Sequence, residues 1–202
     1  MTKNLAIESG ALAIPEPDAS GVRVYKGIPY SAPPIGPLRW RPPEPVAAWT
    51  GVRPTRAFGS HSVQGIVWDD IDLGGAETSE DCLTLNIWTS AAPGTSARLP
   101  TMVWIHGGGF VVGSGAEPRY DGARLAARGI VVVTVNHRLN ALGFLAHPEL
   151  TAESDHQASG NIACTTLSQR CNGSSVTLRP SAAIPTRLRS QASPPVRKRR
   201  AR

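Results

Sequence analysis

Ten residues constrain this chain more than any others: Thr101-Met102-Val103-Trp104-Ile105-His106-Gly107-Gly108-Gly109-Phe110. A short apolar, β-prone run ends in a histidine and three consecutive glycines, so a buried strand must deliver a bare backbone loop at its C-terminal end. Without Cβ atoms such a loop reaches backbone angles that other residues avoid, and a ligand can approach its amide N–H groups closely. The stretch therefore reads as an anion cradle. The plainer alternative is a tight turn, since glycine runs also punctuate structure.

Whatever surrounds the loop must supply a sheet. Leu83-Thr84-Leu85-Asn86-Ile87-Trp88 alternates like a half-buried strand, and Ile130-Val131-Val132-Val133-Thr134-Val135 is the most apolar β-prone run in the chain. Met102 to Ile105 is continuous enough to be expected near a sheet centre. Between these strands, Arg119 to Arg128 has a helical pattern, with Gly129 placed as its C-terminal cap. Strand, glycine loop, helix and strand make a βαβ unit, hence an α/β fold with parallel strands.

Upstream, residues 5–14 read as two strands about a glycine turn, and Val22 to Tyr25 as another short strand. Prolines 29, 33, 34, 37, 42, 43 and 45 then forbid helix interiors and sheet centres, so this segment must run extended over a surface. Tyr30, Leu38, Trp40 and Trp49 are expected to dock it on the chain's own core. A proline-rich ligand for a separate domain is the alternative.

Charge divides the chain in two. Residues 1–155 hold fifteen acidic and twelve basic residues, a net of −3, whereas residues 156–202 hold nine basic residues and no acid. The tail has no aromatic residue and closes in Arg197-Lys198-Arg199-Arg200-Ala201-Arg202. It cannot bury enough apolar surface to offset its ordering entropy, so residues 166–202 are expected to be disordered. Nonspecific, salt-sensitive attraction to nucleic acid or anionic surfaces is a functional alternative for the tail. It carries no stacking aromatic and no recognisable motif, so no specific nucleic-acid partner is expected.

Cys82, Cys164 and Cys171 are too few for a disulfide framework and have no zinc-like spacing, so neither metal nor cofactor is expected. No N-terminal stretch pairs a charged start with a long apolar core, and no segment is apolar enough to span a bilayer. A reduced, cytoplasmic setting is the resulting expectation.

Three motifs carry a resemblance. Lys26-Gly27-Ile28-Pro29-Tyr30-Ser31-Ala32-Pro33-Pro34-Ile35-Gly36 with Leu38-Arg39-Trp40-Arg41-Pro42-Pro43, then Ser79-Glu80-Asp81-Cys82-Leu83-Thr84-Leu85-Asn86-Ile87-Trp88, then the His106-to-Phe110 loop follow one another in order. Together they resemble the type-B carboxylesterases, relatives of the cholinesterases. The resemblance implies an α/β-hydrolase fold and hydrolysis of a small-molecule carboxylic ester. By that resemblance Gly108 and Gly109 match the oxyanion-hole amide donors, and Gly107, His106 and Phe110 support the loop. It also exposes departures. Ser62 stands where many members have a cysteine paired with the position of Cys82, and His137 and Asn140 replace the usual tyrosine and glycine.

The resemblance runs through Ser159-Gly160-Asn161 and then stops. Nowhere is there a Gly-x-Ser-x-Gly nucleophile elbow, and His61, His137, His147 and His156 have no nucleophile to serve, so nucleophile, acid and base are all expected to be absent. The expected product is an incomplete α/β-hydrolase fold: residues 1–165 form the N-terminal portion, and 166–202 are an out-of-frame tail. Shifted codons permit a helix-like string across Ser168 to Pro185 and Gly-Glu-Ser-Ala-Gly across Gln191 to Val196. A frameshift between about Cys164 and Ser168 accounts for both strings.

Overall fold

A computed structural model of the chain describes residues 4–65, 72–95 and 98–171. At the N-terminus β1 (Asn4–Ile7) and β2 (Gly10–Ala13) form an antiparallel hairpin about Glu8-Ser9. Then β3 (Arg23–Pro29), β4 (Val52–Arg53), β5 (Thr84–Thr89), β6 (Thr101–Ile105) and β7 (Val131–Val135) follow in order. The short β4 adds to β2 in parallel, and the remaining strands form a second sheet ordered β3-β5-β7-β6.

That second sheet is mixed. β6 and β7 run parallel from Thr101↔Val131 to Ile105↔Val135, as the βαβ pattern requires, but β5 is antiparallel to both β3 and β7. Within this sheet the parallel expectation thus holds for the β6-β7 pair only. All five residues of β7 are buried. Val131, Val133 and Val135 join Tyr25, Leu85 and Ile87 on one face, while Val132 joins Val22, Trp88 and Ala126 on the other.

Two expectations about the βαβ unit are corrected. β6 is an edge strand among the described residues, with Trp104 and Ile105 41% and 46% exposed. Its apolar composition fits a central strand, but no described strand lies beyond it. The helix is also shorter than the 119–128 pattern. Pro118–Tyr120 make a 3-10 turn, Asp121 Oδ1 accepts the Ala123 amide at 2.7 Å, and only α1 (Ala123–Ala126) is α-helical. Its end is as expected: Gly129 takes φ 83°, its N–H reaches the Ala126 carbonyl, and the Ile130 N–H reaches the Leu125 carbonyl. That pair of bonds is the Schellman arrangement.

The proline segment docks on its own core. The Tyr30 hydroxyl donates to the Asn136 carbonyl at 2.7 Å, Trp49 Nε1 to the Ala11 carbonyl at 3.1 Å and Trp40 Nε1 to the Ala141 carbonyl at 2.9 Å. Arg39 grips Glu80 with two bonds of 2.6 and 2.7 Å, joining the first two sequence motifs. Cys82 is buried, and burial pushes its thiol up to about 11 although the Ser62 side chain hydrogen-bonds it. Serine therefore occupies the position facing the thiol, where the resemblance places a second cysteine.

After β7 come α2 (Asn140–Phe144), α3 (Pro148–Glu153) and α4 (Ile162–Cys171). The disorder expected from residue 166 is corrected for 166–171, which complete α4. Ala163 and Thr166 are fully buried and Leu167 packs on the main core, which anchors the start of that stretch. Residues 172–202, where the remaining tail expectations fall, lie outside the described residues. Among the described residues no helix is long and apolar enough to cross a membrane.

Candidate active site

At the C-terminal end of β6 the chain turns through Gly108 (φ 122°), Gly109 (φ 62°) and Phe110 (φ 66°). A side chain at Gly108 would overlap the Val112 carbonyl oxygen, so this position needs glycine for space as well as for angle. The turn closes on itself, because the Val111 and Val112 amides both donate to the Gly108 carbonyl, at 3.1 and 3.2 Å. The amides of Gly108 and Gly109 donate to no acceptor among the described residues. Gly107, Gly109 and Phe110 are open to solvent. Two unpaired backbone donors on an exposed, conformationally fixed loop can donate to a negatively charged oxygen.

Beneath the loop lies a buried polar foundation. His106 Nδ1 is 2.9 Å from the Gly107 carbonyl, which can only accept, so Nδ1 carries the proton. Its ring stacks on His137, with centroids 4.4 Å apart and planes within 9°, and the His137 Nδ1–H likewise donates to the Arg138 carbonyl at 2.9 Å. Burial drives His106 down to about 4, with the neighbouring His137 adding to the effect, and burial lowers His137 too. Gly113 lies so close under the His106 ring that a Cβ there would strike Nδ1. His106 is thus a neutral imidazole bonded to the Gly107 carbonyl.

Side chains distant in sequence complete the support. Gln64 takes both backbone groups of Gly113, accepting its N–H at 2.7 Å and donating to its carbonyl at 2.9 Å. Asn136 Oδ1 accepts the Gly115 amide at 2.7 Å, Glu117 Oε1 accepts the Ser114 amide at 2.9 Å, and Thr134 Oγ1 donates to the Gly115 carbonyl at 2.7 Å. Asn140 reaches the loop directly: its N–H donates to the Phe110 carbonyl at 2.9 Å, and Nδ2 to the carbonyls of Val111 at 2.9 Å and Val63 at 3.2 Å. Its φ of 52° is tolerated by glycine and asparagine, so the departure at this position keeps the backbone and adds two bonds.

Asn140→Ala is accordingly expected to lower stability by about 2–3 kcal/mol, from two lost hydrogen bonds and a strained left-handed residue. Asn140→Gly should cost only about 1 kcal/mol. Urea denaturation of the two variants measures the difference.

The five-residue loop expected from the sequence is brought together as one unit. Gln64, Ser114, Asn136 and Asn140 were missed as its supports, because their partners are long-range and no local pattern marks them. His61 does meet a serine: its Nδ1 lies 2.7 Å from Ser114 Oγ. Both residues are fully buried, so no substrate reaches the pair, and burial lowers the imidazole despite the opposing charge of Glu117.

A sequence profile of the carboxylesterase family matches residues 9–167. The chain belongs to the carboxylesterase family. It is 49% identical over 156 residues to a fumonisin B1 esterase of Sphingopyxis macrogoltabida, covering 76% of this chain and 28% of that protein. It is 47% identical over 130 residues to a para-nitrobenzyl esterase of Bacillus subtilis, covering 62% and 26%. Among solved structures it superposes on a thermophilic pNB esterase with a TM-score of 0.71 at 34% identity, covering 85% of this chain and 34% of the other. On a carboxylesterase of Geobacillus stearothermophilus the TM-score is 0.68 at 39% identity, covering 81% and 32%. The architecture is therefore an incomplete α/β-hydrolase fold, and the chain spans about a quarter to a third of the length of these relatives.

Proposed function

We propose that this carboxylesterase-family chain carries the oxygen-stabilising half of a serine ester hydrolase and lacks its attacking half. Gly108 and Gly109 supply two amide donors for the negative oxygen of a tetrahedral intermediate. His106, Gly107 and Phe110 hold the loop that presents them. The observation that carries this reading is the pair of unpaired amides on the glycine loop. Each such donor is worth about 2.7–4 kcal/mol of transition-state stabilisation where it has been removed from other enzymes.

A small carboxylic ester is the substrate class proposed, by family. The chain has no Gly-x-Ser-x-Gly sequence to furnish a nucleophile, so it is inactive alone. Residues 166–202 are proposed to be read out of frame, and the end of the family match at residue 167 supports that boundary. Nucleotide sequencing from the codon for Asn161 to that for Val196 tests it. A single frame whose shifted reading lacks a nucleophile elbow overturns the frameshift.

Purified chain is expected to hydrolyse a p-nitrophenyl ester no faster than buffer. Hydrolysis that disappears on Gly108→Pro would mean a complete site exists within these residues, contrary to the proposal.

A further inference from the structure

Four residues other than glycine take positive φ among the described residues: Trp40 at 58°, Phe110 at 66°, Asn140 at 52° and Gln157 at 50°. A side chain disfavours that region, and residues held there persist only where their surroundings over-determine them. Three of the four belong to one chain of contacts. The Trp40 indole N–H donates to the Ala141 carbonyl at 2.9 Å, in the first turn of α2, and the Asn140 N–H donates to the Phe110 carbonyl at 2.9 Å. At the other end of α2 the Phe144 ring lies 4.8 Å from that of Phe110, tilted by 52°.

α2 is only five residues long, and Leu139 before it offers no side-chain cap. So short a helix does not hold itself, and its place is set by bonds from outside. Asn140 and Phe144 tie it to the glycine loop, and Trp40 ties it to the proline segment. The Trp40 backbone is itself clamped. Arg39 forks onto Glu80, and Arg41 donates to the Glu153 carbonyl at 3.1 Å and to its carboxylate at 2.8 Å. The Arg41 carbonyl in turn accepts Arg138 NH1 at 2.9 Å. Bonds on both flanks thus oppose any rotation that would relieve the left-handed Trp40.

We propose that Trp40 is a positioning residue for the oxygen-stabilising loop: its indole fixes α2, and α2 fixes Phe110 and with it the direction of the adjoining Gly109 amide. The inference deepens the reading of Gly108 and Gly109 as donors, and rests on that reading only for its functional meaning. The rival role is a plain anchor for the proline segment, which would matter to stability and leave the loop unmoved.

The test records amide hydrogen exchange and 1H–15N spectra of the labelled 202-residue chain. Trp40→Phe keeps an aromatic ring and removes the donor. Exchange at the Asn140 amide is expected to speed at least about fivefold, the size of one lost hydrogen bond. The Gly109 and Phe110 cross-peaks should shift, while the Val132 and Val133 amides in β7 keep both rate and position. Arg41→Ala leaves the indole in place and frees one flank, so it covers the case in which Trp40→Phe does not fold. It should give the same pattern with about a twofold change in exchange, as a sub-global opening near α2 would. Acceleration spread equally over β7, or Gly109 and Phe110 cross-peaks that stay in place, overturns the proposal. Sodium butyrate added to the unsubstituted chain tests the underlying reading separately. Shifts at the Gly108 and Gly109 amides support donation to a carboxylate oxygen. Their absence counts against the role of those glycines, and the variant pattern then still upholds Trp40 as the residue that sets the loop.

Discussion

Thr166→Asp is expected to stabilise the chain by about 3 kcal/mol, the lower end of what removing one partner of a buried ion pair costs. Arg138 is almost fully buried, yet no ion pair with an acidic group reaches it among the described residues. Its NH1 donates to the Arg41 carbonyl at 2.9 Å, its NH2 to Thr166 Oγ1 at 2.7 Å, and its Nε has no partner. Burial accordingly lowers the guanidinium from its usual range. Aspartate is close to threonine in volume and would place a carboxylate where the hydroxyl now stands. It would forfeit the bond from Thr166 Oγ1 to the Ile162 carbonyl at 2.7 Å, which limits the gain. Equilibrium urea unfolding measures the change. Arg138→Met in the same series should be harmless alone and costly beside Thr166→Asp, so a double-mutant cycle isolates the pair. A cycle with no coupling would show that the guanidinium is satisfied in some other way.

Acid is expected to undermine the glycine loop well above the pH at which carboxylates protonate. His106 is held down to about 4, and an unfolded histidine titrates near 6.5. Because the folded value is the lower one, the unfolded chain binds the extra proton throughout that window. Stability is fully present above about pH 6.5, falls as pH drops, and levels off below about pH 4. For His106 alone the loss amounts to about 3 kcal/mol. His137, lowered by the same burial, adds to the slope in the same direction. Urea midpoints compared between pH 7.5 and pH 4.5 should show the drop, and His137→Tyr should shrink it by removing one titrating ring and its repulsion on the other. Flat midpoints across that range would mean that the rings accept protons without leaving their stack.

Much of the fold was legible from local pattern. Ile130 to Val135 reads as buried because valine and isoleucine fill both faces, and β7 is indeed the strand buried on both sides. Gly129 reads as a cap because the apolar pattern stops just before it, and the Schellman bonds follow. The order of β6 and β5 about β7 was not legible. Continuous apolar composition reports that a strand is suited to burial on both faces, and says nothing of whether a neighbour is present to bury it. The length of α1 was missed because Pro118 and Asp121 set up a turn that consumes the first half of the apparent helix.

The candidate site divides along the same line. Its glycine loop stands in one contiguous stretch and was visible at once. Its supports come from Gln64, Thr134, Asn136 and Asn140, whose bonds to the loop region span 19 to 49 residues. Thr166 illustrates the converse, since a helical turn carrying a fully buried side chain was hidden inside a segment whose overall composition argued for disorder.

The bonds from Gln64, Glu117, Thr134, Asn136 and Asn140 that hold the glycine loop involve no residue later than Asn140. On a translating ribosome, where N-terminal segments emerge first, every one of those partners has been made before α4 begins. The cradle can therefore set during synthesis, ahead of whatever sequence is joined after it.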